Sequence, residues 1–382
     1  SGADLQSNLT FTEGDPDYSP NDIPTFFVTL GDEAQVELTS IDPDTNEPGR
    51  MTECSVIPET TTQDGLTGSI AAALYHEFGH ALGLPDLYST FTGLPTVGYW
   101  DIMDTGTNLT AAVASITAEQ DTVVTAVTGL LPPQTSIWCK WFLGFAEEIR
   151  ADGRARDINI ASTHRQNSRL KALRIDVSPD EFFLVANRWN PPASEGDWGL
   201  YSDPATGVVQ FLGNFNGNTL VGNTHMYDFF LPWGGGVMVW RIRQDRVEEG
   251  MPFNTVQAFP EQLGIELIEA DGIQDIGVFE FNTRGFVGSE NDAFRERTEF
   301  MVDFGDGPEL LVYPRTATEF GPATFPPSES SFGFETGVRI EGIGEATRSS
   351  MDLRASVEGL LLLGDGPAAF PVEVPPIGVD EI

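Results

Sequence analysis

The chain has 382 residues, with 58 acidic against 20 basic side chains and a formal net charge of −38. No basic stripe is present to replace the counterions of a phosphate backbone, so nucleic acid is excluded as a partner. Hydrophobic residues make up 40% of the sequence, which supports a buried core, but no stretch of about 20 apolar residues predicts a membrane span. The 40 glycines and 26 prolines predict many turns and exclude an all-helical bundle.

The first segment with strand character precedes residue 58. Short β-branched and aromatic runs at 25–30, 35–39 and 51–57 are separated by clusters of Gly, Asp and Pro. This pattern predicts three short strands.

Residues 66–82 have the period of a helix with one buried face. The apolar positions that recur every three to four residues are Ile70, Leu74, Phe78, Ala81 and Leu82. Gly83 and Pro85 predict the end of this helix.

The rest of the sequence favours strands. Residues 111–130 are rich in Ala, Thr and Val and fit either helix or strand, whereas 134–142 predicts a short helix that stops at Gly144. From residue 157 onward, β-branched runs are parted by Gly, Pro and Asn turns. We therefore expect an α+β fold with a β-rich C-terminal half. The predicted units are a first region at 1–155 that contains this helix, a β-rich region at 156–357 that completes or flanks it, and an acidic Pro/Gly tail at 358–382.

The residues that could bind a metal or transfer a proton are concentrated in the predicted helix. His76 and His80 lie four positions apart, so they project from one face and can hold a zinc ion through neutral imidazoles. Glu77 reaches the open side of such an ion, where a carboxylate can take a proton from water and pass it to a leaving amine. The motif HExxH is typical of zinc hydrolases, although it also occurs by chance.

A third ligand follows the helix. The sequence continues to HExxHxxGxxD, in which a positive φ at Gly83 can turn the chain so that Asp86 returns toward the metal. The alternative is that Asp86 is an exposed aspartate in a turn.

Two segments, HEFGHALGLPDLY at 76–88 and GYWDIMDTG at 98–106, resemble the catalytic signature of the immune inhibitor A family of secreted bacterial metallopeptidases. The later segments DEFFLVANR, GGGVMVWRI and ELIEADG are also similar to that family, so the resemblance covers roughly residues 50–285. It implies a zincin or metzincin-like catalytic domain in which His76, His80 and Asp86 bind zinc and Glu77 is the general base and acid.

The resemblance also implies that Met103 supports the metal from a tight turn, as in metzincins; otherwise it is a core residue. We expect the upper part of such a domain to be reduced or incomplete here, because only 75 residues precede His76 in the sequence. Tyr88 and Tyr99 flank the site and are candidates to donate a hydrogen bond to the oxyanion, with packing as their alternative role. The two cysteines, Cys54 and Cys139, either form a disulfide, which the resemblance favours for an extracellular protein, or remain free thiols.

Further metal sites receive weaker support from the sequence. His164 and His225 have no partner at metal-ligand spacing. The acidic segments 271–275 and 303–306 can bind Ca²⁺, but neither matches an EF-hand loop, and solvated turns are the simpler interpretation.

The preferred hypothesis is therefore a secreted or cell-surface zinc endopeptidase that acts on protein or peptide substrates. The alternative is a non-catalytic structural or binding module of an extracellular assembly, built on a zincin scaffold. An intact Glu77 favours the enzyme, whereas the reduced upper region favours the module. The oligomeric state and the substrate preference are not predicted.

Overall fold

The computed structural model describes residues 25–31, 33–41, 45–57, 69–116, 122–151, 153–163, 170–188, 198–202, 209–216, 219–220, 228, 231, 234–278, 285–296, 300–303, 308–311, 317–344, 350–358, 361–362 and 371–372. They contain both helices and sheets, so the chain is α+β, as the sequence predicts. Within these ranges, no helix has both the length and the apolar character needed to cross a bilayer.

The strands before the first helix form two separate antiparallel pairs. Strand β1 (Phe26–Thr29) pairs with β4 (Glu53–Val56), and β2 (Val36–Ile41) pairs with β3 (Pro48–Met51). The sequence predicts three strands here, and the structure has four because a separate strand, β3, immediately precedes β4. Both β1 and β4 contact the helix that follows.

That helix, α1 (Ala71–Ala81), corrects one prediction, because its apolar face is not the buried one. Phe78 is 58% exposed and Leu74 is 45% exposed, and Ala81 and Leu82 are exposed as well. The buried residues are instead Ala72, His76, Glu77 and Gly79. The helix thus turns its polar face, where glycine removes bulk, toward the protein interior.

The segment that fitted either helix or strand is a hairpin, in which β5 (Thr110–Ile116) pairs with β6 (Thr122–Thr128). The predicted short helix follows as α2 (Ile137–Phe142). Ser136 caps its N-terminus by accepting a hydrogen bond from the backbone N–H of Cys139 at 3.3 Å. Gly144, with φ of 75°, leads the chain out of it.

The remaining elements are β7 (Ala146–Arg150), β8 (Arg156–Ala161), β9 (Leu170–Asp176), β10 (Glu181–Arg188), β11 (Trp198–Ser202), β12 (Val209–Asn216), β13 (Thr219–Leu220), β14 (Gly236–Arg243), α3 (Gln244–Gly250), β15 (Ile265–Ile268), β16 (Phe300–Asp303), β17 (Pro308–Leu311), β18 (Glu319–Phe320), β19 (Val338–Glu341), β20 (Ser350–Val357), β21 (Leu361–Leu362) and β22 (Pro371–Val372). Short 3-10 helices cover Gly98–Trp100, Thr105–Asn108, Met251–Phe253 and Pro260–Gln262.

Two sheets contain most of the β-rich half. The larger has the order β15-β14-β10-β9-β7 and is antiparallel except between β7 and β9. The second has the order β18-β19-β20-β8 and is antiparallel throughout. The strands β11 to β13, β16 with β17, and β21 with β22 form small separate ladders. The domain limits at 155/156 and 357/358 stay predictions.

The central strand β10 is buried along its whole length, because both faces of its sheet are covered. Phe182 and Leu184 belong to one hydrophobic cluster, which also contains Met103. Phe183 and Val185 point to the opposite face and belong to a second cluster, which is shared with the four-stranded sheet. A strand covered on both sides has no polar alternation, which explains the continuous apolar run in its sequence.

Phe183 provides a test of this packing. Its ring is fully buried and lies edge-on to Phe320, with 5.3 Å between ring centroids. Phe183→Ala should lower the free energy of unfolding by about 3–5 kcal/mol, because it removes apolar contacts and leaves a cavity. Urea denaturation measures the change. The control Phe145→Ala removes a ring that is 67% exposed, and it should change stability by less than about 0.5 kcal/mol. Equal losses in the two variants would contradict a core at β10.

Candidate metal centre

The helix α1 brings the predicted histidines together. Their ring centroids are 4.8 Å apart and the rings are perpendicular. His76 is buried, and His80 is half-buried. The four-residue spacing thus places both imidazoles on one side of the helix, as the sequence predicts.

Asp86 joins them because of the way the helix ends. Gly83 has φ of 93°, its N–H donates to the carbonyl of His80 at 2.8 Å, and the N–H of Leu84 donates to the carbonyl of Gly79 at 3.0 Å. These two bonds form a Schellman motif, which reverses the chain just after the helix. Asp86 is buried, and its Oδ1 lies 3.0 Å from His76 Nε2 and 3.3 Å from His80 Nε2.

The hydrogen bonds of the imidazoles indicate what this cluster holds. His76 Nδ1 is 2.9 Å from the carbonyl oxygen of Ile102, and His80 Nδ1 is 2.9 Å from that of Leu84. A carbonyl only accepts, so each Nδ1 carries the hydrogen, and in the neutral ring Nε2 presents a lone pair. Both lone pairs face Asp86 Oδ1, a buried oxygen without a hydrogen-bond partner. Three electron-pair donors that converge in this way fit a cation.

The electrostatics of the cluster support the same conclusion. Burial alone would raise the pKa of Asp86, but the two imidazoles hold it well below its usual value, so the carboxylate is ionised. Burial lowers the pKa of His76, yet Asp86, the Ile102 carbonyl and the charge of Glu77 together more than offset this, and the net shift is upward. When no metal is bound, a proton is therefore the competing cation, and metal binding would release it.

Glu77 lies beside this cluster and is almost fully buried. Burial raises the pKa of its carboxyl, and the charges of His76 and His80 oppose that shift. Its Oε2 has no hydrogen-bond partner. A buried carboxylate with an open oxygen is suited to exchange a proton.

Met103 lies beneath the helix. Its side chain is fully buried, and its sulfur packs so closely on Gly79 that a methyl group at that position would clash with Sδ and lie 3.1 Å from Cε. The same turn supplies the Ile102 carbonyl that holds His76, and the Met103 carbonyl accepts from the N–H of Leu87 at 2.7 Å. The turn therefore contacts both the helix and the segment that carries Asp86.

Two buried aspartates, which sequence reasoning missed, hold this turn. Asp101 accepts from the N–H of Met103 at 2.8 Å and from the N–H of Ser136 at 2.6 Å. Asp104 Oδ2 accepts three backbone N–H groups at 2.7–2.9 Å, those of Thr96, Val97 and Gly98. Burial raises the pKa of Asp104 to about 7, and these N–H groups oppose the shift. The only sequence signal for these two residues was the segment DIMD at 101–104, in which an aspartate lies on each side of Met103.

A third support, Arg188 on β10, was also missed. Its guanidinium donates to both carboxylate oxygens of Asp228, at 2.8 and 2.9 Å, and to the carbonyl of Trp100. Both charged side chains are buried, and such a pair is stable only when its hydrogen bonds are satisfied. Arg188 is 88 residues from Trp100 in sequence, so no local pattern connects it to the turn.

The predicted disulfide is wrong, because Cys54 and Cys139 are free thiols. Cys139 is buried on α2, where its thiol donates to Asp101 Oδ2 at 3.3 Å, while Cys54 lies on β4. The thiol of Cys139 thus belongs to the hydrogen bonds that support the Met103 turn.

The two tyrosines lie in different surroundings. The ring of Tyr88 stacks on that of His76 with 6.3 Å between centroids. Burial and the charge of Asp86 raise the pKa of Tyr88, so its phenol stays neutral. Tyr99 packs against the hydrophobic cluster that contains Met103, and burial raises its pKa. Only the position of Tyr88 is adjacent to the metal cluster.

The other predicted metal sites gain no support. Within the described ranges, His76, His80 and Asp86 are the only group of His, Cys, Asp or Glu residues that could hold a metal ion. Asp271 instead accepts from the backbone N–H of Ile273 at 3.0 Å. His164, His225 and Asp306 lie outside the described residues. Calcium therefore remains without structural support.

Residues 40–124 match the family model of the immune inhibitor A peptidase M6 catalytic domain. The matched segment contains the helix, Asp86 and the Met103 turn. No curated protein and no solved structure matches the chain.

A buried acid pair also supports the turn, through Trp100. Asp292 accepts from the indole N–H of Trp100 at 2.6 Å, and from the backbone N–H and hydroxyl of Ser289 at 2.7 Å each. Glu269 interacts with it electrostatically and accepts only two long backbone hydrogen bonds, at 3.3 and 3.4 Å. Burial raises the pKa of both carboxyl groups, and Asp292 raises that of Glu269 further. Because Asp292 has the stronger donors, we expect the charge on Asp292 and the proton on Glu269.

The close contact between Gly79 and Met103 can be tested with a double-mutant cycle. Gly79→Ala should lower the free energy of unfolding by about 1–3 kcal/mol, because the buried sulfur has to move. Met103→Ala should cost about 2–5 kcal/mol. The double variant should lose less than the sum, by about 0.5–3 kcal/mol, because the new methyl group occupies the vacated space. Urea denaturation of the four proteins gives the coupling. Strictly additive losses would show that the two residues are not in contact.

The proton on Glu269 predicts a pH effect on stability. The ordinary pKa of this carboxyl is 4.5, and burial raises it in the folded protein. Above pH 4.5 the unfolded chain loses the proton while the folded protein keeps it, so the free energy of unfolding should fall by up to about 1.4 kcal/mol per pH unit. Glu269→Gln should remove this part of the slope. Melting curves from pH 5 upward measure the slope of stability against pH, and Glu261→Gln, at an exposed position, serves as the control. Equal slopes in both variants would exclude a proton retained on Glu269.

Proposed function

Because the chain belongs, through residues 40–124, to the immune inhibitor A family of M6 peptidases, we propose that it is a zinc-dependent endopeptidase. In this proposal His76, His80 and Asp86 hold the zinc ion, and Glu77 is the general base and acid. One observation carries it: the lone pairs of two imidazoles converge on a buried carboxylate oxygen that has no hydrogen-bond partner.

The donor set favours zinc over calcium or magnesium. Two imidazoles with one carboxylate are typical of catalytic zinc sites, whereas the alkaline-earth ions prefer oxygen donors alone. Three protein ligands leave a fourth position for water or substrate. Each histidine is oriented by a backbone carbonyl.

The mechanism assigns a distinct role to each side chain. When bound, zinc polarises the scissile carbonyl and lowers the pKa of water. Glu77 takes the proton of the attacking water at Oε2 and then passes it to the leaving amine. Burial supports this role, because it raises the pKa of Glu77 toward the range in which a carboxylate both accepts and releases protons. Tyr88 stays a neutral phenol and remains the candidate donor to the oxyanion.

Glu77 also argues against the alternative of a non-catalytic module. A buried carboxylate oxygen without a partner is costly in free energy, and such groups persist where they serve a reaction. A scaffold that only binds a partner gains nothing from this carboxylate. We also propose that the protein works outside the cell, and the support is the resemblance of residues 76–106 to a family of secreted peptidases.

Glu77→Gln tests the proposed chemistry. The amide keeps the size of the side chain but cannot carry the proton, so casein hydrolysis should fall by about 10²–10⁴-fold. The zinc content, measured by mass spectrometry of the metal, should stay at one ion per chain. The exposed Glu37→Gln should leave both quantities unchanged. Wild-type activity in Glu77→Gln would exclude Glu77 as the base, and loss of zinc from that variant would give it a structural role.

A further inference from the structure

Asn254 lies against Asp86, although 168 residues separate the two in sequence. Its amide oxygen accepts from the backbone N–H of Asp86 at 2.8 Å. Its amide nitrogen donates to Asp86 Oδ2 at 2.6 Å. One side chain thus binds both the backbone and the carboxylate of the same residue, which fixes the carboxylate in position and in rotation.

The backbone of Asn254 is itself held in place. It follows the 3-10 helix Met251–Phe253 and has φ of 53°, a left-handed conformation that asparagine tolerates better than most residues. Its carbonyl accepts from the hydroxyl of Thr90 at 3.1 Å, and Ser89 donates to the carbonyl of Ala258 at 2.7 Å. The loop at 251–258 is therefore tied to the segment that follows Asp86.

The two carboxylate oxygens of Asp86 consequently have different surroundings. Oδ2 is occupied by the amide of Asn254, whereas Oδ1 faces the two imidazole nitrogens and has no hydrogen-bond partner. A free carboxylate can bind a metal through one oxygen or through both. With Oδ2 engaged, only Oδ1 is available to the ion.

We propose that Asn254 is a positioning residue that makes Asp86 a one-oxygen ligand and so keeps the fourth coordination position open. This inference rests on the proposed zinc site and adds a residue outside the matched segment. The side chain of Asn254 does not touch the reacting atoms in this scheme. It acts through Asp86, as outer partners of metal ligands generally do.

The test replaces Asn254 by glycine, which adopts the same positive φ without strain. Asn254→Gly should weaken zinc binding by about 10–100-fold in a chelator competition. With Co²⁺ as the probe, its visible absorption should weaken, because Asp86 can then bind through both oxygens and the coordination number rises. The matched control is Asn46→Gly: Asn46 is exposed and has φ of 58°, so this variant should keep the affinity and the spectrum of the wild type.

A second variant separates positioning from folding. Asn254→Asp keeps the oxygen that accepts from the Asp86 N–H, but its other carboxylate oxygen, when ionised, cannot donate to Oδ2 and repels it. It should show the same change in the Co²⁺ spectrum as Asn254→Gly. Melting curves of the metal-free proteins identify a general loss of stability, which would lower the melting temperature without changing the spectrum of the folded fraction.

The outcomes distinguish this inference from the proposed function. If the wild type binds neither Zn²⁺ nor Co²⁺, the zinc site itself is refuted. If the wild type binds both, and both Asn254 variants keep its affinity and its spectrum, the zinc site stands and the role of Asn254 is overturned. Changes in the spectrum and the affinity in both variants, but not in Asn46→Gly, support it.

Discussion

The candidate site depends on one electrostatic constraint: three electron-pair donors have to be held face to face. The lone pairs of His76, His80 and Asp86 repel one another unless a cation lies between them, so the protein has to supply the force that keeps them together. Backbone carbonyls fix the far nitrogen of each imidazole, and an amide fixes the far oxygen of the carboxylate. Each donor is therefore oriented by a hydrogen bond on the side away from the other two donors.

The turn around Met103 connects this arrangement to the rest of the fold. Its backbone is held by buried carboxylates at Asp101 and Asp104, and the carbonyl of Trp100 receives the guanidinium of Arg188. Charged groups are costly to bury, and here each has several hydrogen-bond donors or acceptors that offset the cost. The positions of His76, His80 and Asp86 thus depend on polar contacts below them, and the thiol of Cys139 makes one of these contacts.

Local signals in the sequence predicted the local part of the site. The spacing of His76 and His80 and the glycine at position 83 determine short-range geometry, and the structure has both as expected. Asn254 and Arg188 act across long stretches of chain, so their roles depend on the tertiary fold and leave no local pattern.

The strand content of the β-rich half was predictable from its β-branched runs, but its pairing order was not. The burial of α1 was predicted on the wrong face, since periodicity reports which residues share a side and not which side faces inward. Composition also could not predict the secondary structure of residues 111–130, because Ala, Thr and Val fit either a helix or a strand. The segment forms a hairpin because β5 pairs with β6. Likewise, two cysteines in one sequence do not indicate whether their positions meet, and here each thiol is free.

The strand β10, which is buried on both faces, has a consequence for how the molecule loses its structure. Alternate residues of this strand belong to two different hydrophobic clusters, one with the Met103 turn and one with the four-stranded sheet. Neither cluster can be opened without exposing one face of the same strand. The region of the Met103 turn and the β-rich half should therefore melt as one cooperative unit, and a protease that cuts within β10 would dismantle both at once.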